Sequence, residues 1–161
     1  MSQGMRLFLL PKYRLSFFEK DLIDKFGFRN SVSNFDGHDC TLCYYNNETF
    51  MNIGQLAQPL NSVEDAREWD WIDVSVRCKL KNNFNVISFD YNKQQLARKI
   101  IKFFLVHILD DKGDLSQCIF DNDYGILISA QDIFDRWSIS PEWDWRRSSL
   151  PELPGKPSVG D

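Results

Sequence analysis

The chain has 161 residues, of which 43% are hydrophobic, and it carries a formal net charge of −4. This composition is typical of one packed domain and argues against a disordered chain. No basic patch dominates, which disfavours direct binding of nucleic acid. The apolar runs are too short or too charged to cross a bilayer, so we expect no membrane contact and a cytoplasmic protein.

The first part of the chain predicts a strand followed by a helix. Residues 5–10 are a short apolar run, and Pro11 ends it. Ser16 and Glu19 have the spacing of a capping box, which predicts the start of a helix there. Gly27 follows the last residue with helical periodicity and is suited to end that helix.

Two hairpins are predicted in the middle of the chain. Residues 40–45 and 49–53 are short strand candidates around an asparagine turn. Residues 71–80 alternate polar and apolar side chains, and residues 84–91 are β-branched and aromatic. The turn between the last two segments predicts that they pair as an antiparallel hairpin.

A central core helix is predicted after this hairpin. From residue 96 to residue 109, ten of fourteen residues are apolar. Asn92 and Gln95 have the spacing of a second capping box at its start. The polar residues of the helix fall on one narrow stripe, so other elements must cover most of its surface.

The last third predicts another hairpin and a helix. Residues 117–120 and 125–128 are the strand candidates, Ser129 with Asp132 is a capping pair, and the helix should end near Trp137. The predicted fold is therefore α+β. It has a single domain, residues 1–147, in which antiparallel β-hairpins form a sheet packed by the central helix and shorter helices.

Two further segments complete the prediction. A short helix is expected from residue 62 to about residue 69. Residues 148–161 contain three prolines and two glycines and predict a loose tail.

Few residues suggest catalysis or a metal. Cys40 and Cys43 form one CxxC pair near His38, but a structural zinc site usually has a second such pair. The pair leads into a strand, whereas a redox CxxC begins a helix. His107 near the end of the core helix lacks an evident nucleophile as a partner. We therefore expect no metal, no cofactor and no enzymatic activity.

Charge is segregated along the chain. Residues 62–73 carry five acids against one base, and residues 110–144 carry nine acids against two bases. The sequence Glu-Trp-Asp-Trp occurs in both regions, and tryptophan is enriched at protein interfaces. The alternative is that acidic loops are merely solvated and the rings fill the edge of the core. The predicted partner-binding residues are Glu68, Asp70, Trp71, Asp121, Asp123, Glu142, Asp144 and Trp145.

The general character of residues 70–137 resembles bacterial immunity proteins. The resemblance rests on the alternating residues 71–80, the predicted strand and helix of residues 84–109, and the acidic residues 121–137. These proteins neutralise polymorphic or contact-dependent growth inhibition toxins. The resemblance implies a cytoplasmic, non-catalytic protein that docks an acidic face on the basic active-site groove of a cognate toxin, such as a nuclease. The alternatives are a small Asp-dependent hydrolase or nuclease, and a phage or bacterial adaptor subunit.

Overall fold

The structure is a computed structural model that describes residues 3–31, 38–56, 84–122 and 127–145. These residues form an α+β fold, as the sequence predicts, with one antiparallel sheet and three α-helices. In chain order the elements are β1 (Gln3–Leu9), α1 (Leu15–Phe26), β2 (Arg29–Asn30), β3 (His38–Asn46), β4 (Thr49–Leu56), β5 (Asn85–Tyr91), α2 (Gln94–Asp110), a 3-10 turn (Leu115–Gln117), β6 (Ile119–Asp121), β7 (Leu127–Ser129) and α3 (Ala130–Ile139).

The sheet has the strand order β2-β3-β4-β5-β1-β6-β7. β5 pairs with β1 along its whole length and with β4 from Ile87 to Tyr91. Residues 71–80 lie outside the described residues. From Ile87 to Tyr91, however, both edges of β5 are already paired with β1 and β4. The predicted pairing of residues 71–80 with this part of β5 is therefore wrong.

The core lies between one face of the sheet and the helices. Phe104 of α2 is fully buried, with its ring centroid 4.2 Å from that of Phe18 in α1 and 5.2 Å from that of Phe89 in β5. The central helix therefore joins α1 to the middle of the sheet. Its other fully buried residues are Ala97, Ile100, Ile101, Leu105 and Ile108.

Helix α1 ends as predicted but does not begin as predicted. Ser16 lies inside the helix, which has no side-chain cap; instead the Leu15 amide donates to Gln55 Oε1 of β4 at 2.7 Å. At the other end, Gly27 has a φ of 79° and its amide donates to the Ile23 carbonyl, while the Phe28 amide donates to the Leu22 carbonyl. The bond from the Gly27 amide is that of an αL motif, which satisfies a carbonyl of the last turn.

Helix α2 also lacks the predicted cap. It begins after Lys93, without a side-chain hydrogen bond at its start. The amide of Asn92 is used elsewhere, because its oxygen accepts from the Phe50 amide at 3.0 Å and its nitrogen donates to the Glu48 carbonyl. Asn92 therefore fixes the turn between β3 and β4, in which Asn47 has a φ of 57°.

The last hairpin and helix are confirmed. β6 and β7 pair antiparallel, although Gln117 belongs to the 3-10 turn and not to the strand. Ser129 Oγ accepts from the Asp132 amide at 3.1 Å, and α3 continues past Trp137 to Ile139. The predicted helix at residues 62–69 and the tail lie outside the described residues. Within the described ranges, no helix is long and apolar enough to cross a membrane.

Candidate functional site

The segment after α3, residues 140–145, contains the second Glu-Trp-Asp-Trp sequence, and we call it the tryptophan loop. It begins with a turn in which the Ser140 amide donates to the Arg136 carbonyl at 2.8 Å. The Trp143 amide then donates to the Ser140 carbonyl at 2.9 Å. These bonds connect the loop directly to the last turn of α3.

The ring of Trp145 belongs to the core. It is 1% exposed, and its centroid lies 5.5 Å from the Trp137 ring of α3 and 6.3 Å from the Tyr91 ring of β5. Asn122 Nδ2 donates to the Trp145 carbonyl at 2.6 Å, and Trp137 Nε1 donates to the Trp143 carbonyl at 3.4 Å. The loop backbone is therefore fixed to α3 and to the end of β6.

Three basic side chains lie over the indole rings of this region. The distances from cation to ring centroid are 5.3 Å for Arg98 on Trp145, 5.9 Å for Arg136 on Trp143 and 5.8 Å for Lys102 on Trp137. Cation–π contacts contribute about 0.5–1 kcal/mol each at exposed sites and about 2 kcal/mol when desolvated. They hold α2, α3 and the tryptophan loop together.

Glu142 is the acid that the tryptophan loop presents to solvent. Its side chain is 93% exposed, and Glu142 Oε2 lies 3.6 Å from Arg98 Nη1. An ion pair with one fully solvated member contributes little to stability. The carboxylate is therefore accessible to a partner, and Arg98 is held in place mainly by its contact with Trp145.

The other predicted partner-binding residues differ in their exposure to solvent. Asp144 is half-buried, whereas Trp145 is a core residue whose ring faces inward. Asp121, expected to face outward from a turn, is only 6% exposed. It pairs across the sheet with Arg6, and its Oδ2 lies 3.6 Å from Arg6 Nη1. The remaining candidates lie outside the described residues: Glu68, Asp70, Trp71 and Asp123.

Sequence reasoning missed the cations that hold the tryptophan loop. Arg98 and Lys102 are one helical turn apart on α2, and Arg136 lies one residue before Trp137 on α3. The available signal was the presence of arginine and lysine in a helix that is otherwise strongly apolar. Both residues lie on the narrow polar stripe of the predicted helix, but that pattern does not indicate that the side chain of Arg98 is only 14% exposed.

A second cluster of charged groups lies at the opposite end of α2. Lys12 Nζ lies 2.6 Å from Asp111 Oδ2, and the Tyr13 hydroxyl donates to the same oxygen at 3.1 Å. The contact with Lys12 lowers the pKa of Asp111, and the same contact raises the pKa of Lys12. Burial, followed by the hydrogen bond to Asp111, raises the pKa of Tyr13.

Gly113 allows this second cluster to form. A Cβ atom at position 113 would lie 2.1 Å from the Tyr13 hydroxyl and 2.6 Å from Ile108 Cγ2. The Gly113 amide also donates to the Ile108 carbonyl at 2.8 Å, which closes the end of α2. The cluster is therefore a packed junction between α2 and the segment after β1.

His107 packs between α1 and α2. Its Nδ1 lies 3.7 Å from Asp21 Oδ2, and its ring centroid lies 4.9 Å from Phe17, 5.5 Å from Phe18 and 5.4 Å from Phe103. In the described part of the chain it makes no hydrogen bond to a serine or a cysteine. The arrangement is that of a packing residue with a carboxylate neighbour.

The backbone at Cys40 and Cys43 does not have the turn of a zinc knuckle. Cys40 and Cys43 lie in β3 and pair in continuous register with Gln55 and Asn52 of β4, so no turn separates them. Burial raises the pKa of the Cys118 thiol to about 11, which makes it a poor nucleophile. Among the residues that the structure describes, no three His, Cys, Asp or Glu side chains are grouped to hold a metal ion.

Comparisons with known proteins add no relative. No protein-family model, curated protein sequence or solved structure matches the chain.

Proposed function

We propose that the chain is a non-catalytic protein-binding domain that receives a cationic partner on its exposed acidic residues. The observation that carries this proposal is the tryptophan loop. Its backbone is fixed by the bonds to Trp143 and Trp145, while the carboxylate of Glu142 is 93% exposed. A charge on a rigid segment binds with little loss of conformational entropy.

The pair between Glu142 and Arg98 is compatible with this role. At 3.6 Å, with Glu142 in solvent, the pair is weak and a basic side chain of a partner can replace Arg98. Arg98 would then keep its contact with the Trp145 ring, 5.3 Å away, so its charge would not become isolated. Replacing Arg98 with a basic side chain of the partner at Glu142 therefore costs little free energy.

The more specific proposal is an immunity protein. In it the acidic residues dock on the basic groove of a cognate toxin, such as a nuclease, and exclude the toxin's substrate. Glu142 and Asp144 are the described candidates for this contact, together with Glu68, Asp70, Trp71 and Asp123. The proposal places the chain in the cytoplasm of a bacterium that makes or receives the toxin.

The hydrolase alternative has less support. It needs carboxylates that converge in a cleft. In the described residues, Asp121 lies beside Arg6 and Asp111 is bound to Lys12 and Tyr13. These acids are occupied in ion pairs at separate places in the fold. An adaptor subunit would use the same exposed acids, and the identity of its partner distinguishes it from an immunity protein.

The test is capture of the partner with the purified chain as bait. Cell extract containing the products of neighbouring genes is passed over the wild type, Glu142→Lys and, as a matched control, Asp24→Lys. Asp24 is also an exposed acid, but it lies on α1. We expect a basic protein to be recovered by the wild type and Asp24→Lys, and much less of it by Glu142→Lys.

The activity of the recovered protein decides between the alternatives. An immunity protein should suppress a toxic or nuclease activity of its partner at equimolar ratio. Recovery of a basic partner without any such activity would favour the adaptor. An acidic partner, or equal recovery by all three baits, would contradict the proposal.

A further inference from the structure

The solvent side of α2 has an unusual composition. Val106 and Leu109 are 44% and 37% exposed, although both are large apolar residues. Lys102 and Lys99 lie one and two turns before Val106, and the exposed Asp110 ends the helix. We call these five residues the outer stripe of α2. Towards the C-terminal end of the helix it carries first the two lysines, then the two apolar residues and finally the acid.

The acid of the outer stripe opposes the helix macrodipole. Anions are disfavoured near the C-terminal end of a helix, which is where Asp110 lies in α2, whereas Lys99 and Lys102 lie in its middle turns. Its first turn contains no acid, and Lys93 precedes it. In the described part of the chain, neither Lys102 nor Asp110 is in an ion pair; Lys102 has only its contact with the Trp137 ring. In its described part, the isolated molecule therefore forms no ion pair with either Lys102 or Asp110.

We propose that the outer stripe binds a second copy of the chain, with the two α2 helices antiparallel. A two-fold axis beside Val106 places Val106 against its own copy. The same axis places Leu109 against the half-buried Phe103 of the other copy. It also places Lys102 opposite Asp110, twice, so both unpaired charges find a partner.

A second copy fits the outer stripe because the stripe is complementary to itself. A two-fold interface requires one surface to carry both members of every contact, as this helix does with Lys102 and Asp110 at equal distances from Val106. α2 has 17 residues and is about 25 Å long. One such helix pair buries less than the roughly 1,600 Å² of a standard interface. The dimer should therefore be weak and form only at high protein concentration.

The test is sedimentation velocity of the full chain from micromolar to millimolar concentration. The wild type should shift reversibly from monomer to dimer. Val106→Glu should abolish the shift, because it brings two carboxylates together at the axis. Tyr45→Glu is the control, since it adds the same charge at an exposed ring on β3. It should leave the dimer intact, and circular dichroism should confirm that each variant is folded.

Charge exchange tests the antiparallel register. Lys102→Asp and Asp110→Lys should each weaken the dimer by about tenfold or more, since each places like charges together. The double variant Lys102→Asp/Asp110→Lys should restore it. The proposal is overturned if the wild type stays monomeric throughout, if Val106→Glu still dimerises, or if the double variant is no stronger than the single ones. Because only the purified chain is used, failure here leaves the partner-capture experiment unaffected.

Discussion

Asp121 and Glu142 have opposite environments. Both are acids that the sequence predicts to bind a partner. Asp121 ends β6, is 6% exposed and lies 3.6 Å from Arg6 of the neighbouring strand. Glu142 lies in the tryptophan loop with 93% of its side chain exposed, although it is also 3.6 Å from an arginine. The distance to a cation therefore does not distinguish the two acids, whereas burial does.

The difference determines what each acid can do. Burial removes water from the carboxylate of Asp121, so its ion pair with Arg6 is less screened than a pair in solvent. Glu142 keeps its hydration, and its pair with Arg98 is replaceable. We conclude that Asp121 stabilises the sheet and that Glu142 is available for binding. The substitutions that follow test this division.

The largest effect is expected where the tryptophan loop meets the core. Trp145→Ala removes a buried ring that contacts Trp137, Tyr91 and Arg98, and should lower the free energy of unfolding by about 3–5 kcal/mol. Trp145→Phe should cost much less, because the indole Nε1 has no hydrogen-bond partner among the described residues. Urea denaturation of both variants measures this. Equal stability of Trp145→Ala and the wild type would show that the loop is not part of the core.

The next effect compares the two acids directly. Asp121→Asn keeps the shape of the side chain but removes the charge beside Arg6, and should cost about 2 kcal/mol. Glu142→Gln should change stability by less than about 0.5 kcal/mol, as is usual for a surface substitution. Denaturant midpoints at neutral pH give both values. Similar losses for the two variants would remove the distinction between a buried and an available acid.

A smaller effect is expected at Asp111, which is paired but accessible. Its pKa is lowered, first by the hydrogen bond with Lys12, so folding favours the ionised form. The resulting stabilisation is present above the ordinary pKa of an aspartate, about 3.9, and is lost as the pH falls through the lower folded value. The melting temperature of Asp111→Asn should therefore fall less steeply than that of the wild type as the pH decreases below about 4. A melting temperature lowered by the same amount at every pH would instead indicate a loss of packing around Tyr13.

Local signals in the sequence were predictive, and signals that depend on distant partners were not. Gly27 and Ser129 act within their own helix ends, and both were predicted correctly. Ser16 and Asn92 have equally good local patterns, but Gln55 of β4 binds the start of α1 and Asn92 binds the turn before β4. These competitors are about 40 residues away in sequence. A capping pattern alone contains no information about them.

The candidate site shows the same limit. The acids and tryptophans of residues 142–145 are evident in the sequence, but which side chain faces inward depends on Asn122, Arg98 and Tyr91. The burial of Asp121 depends on Arg6, at the other end of the chain. A sequence pattern could therefore select the region of the site, and only the packing could divide its residues between core and surface.

The most direct test of the binding role of Glu142 is the rate of association with the captured partner. Stopped-flow mixing at low and high salt would compare the wild type with Glu142→Lys and with the control Asp24→Lys. An exposed acid acts mainly on the association rate. Glu142→Lys should therefore associate more slowly than the wild type at low salt, and the difference between their rates should be smaller at high salt. Asp24→Lys should associate like the wild type. Equal rates for Glu142→Lys and Asp24→Lys at low salt would contradict the account.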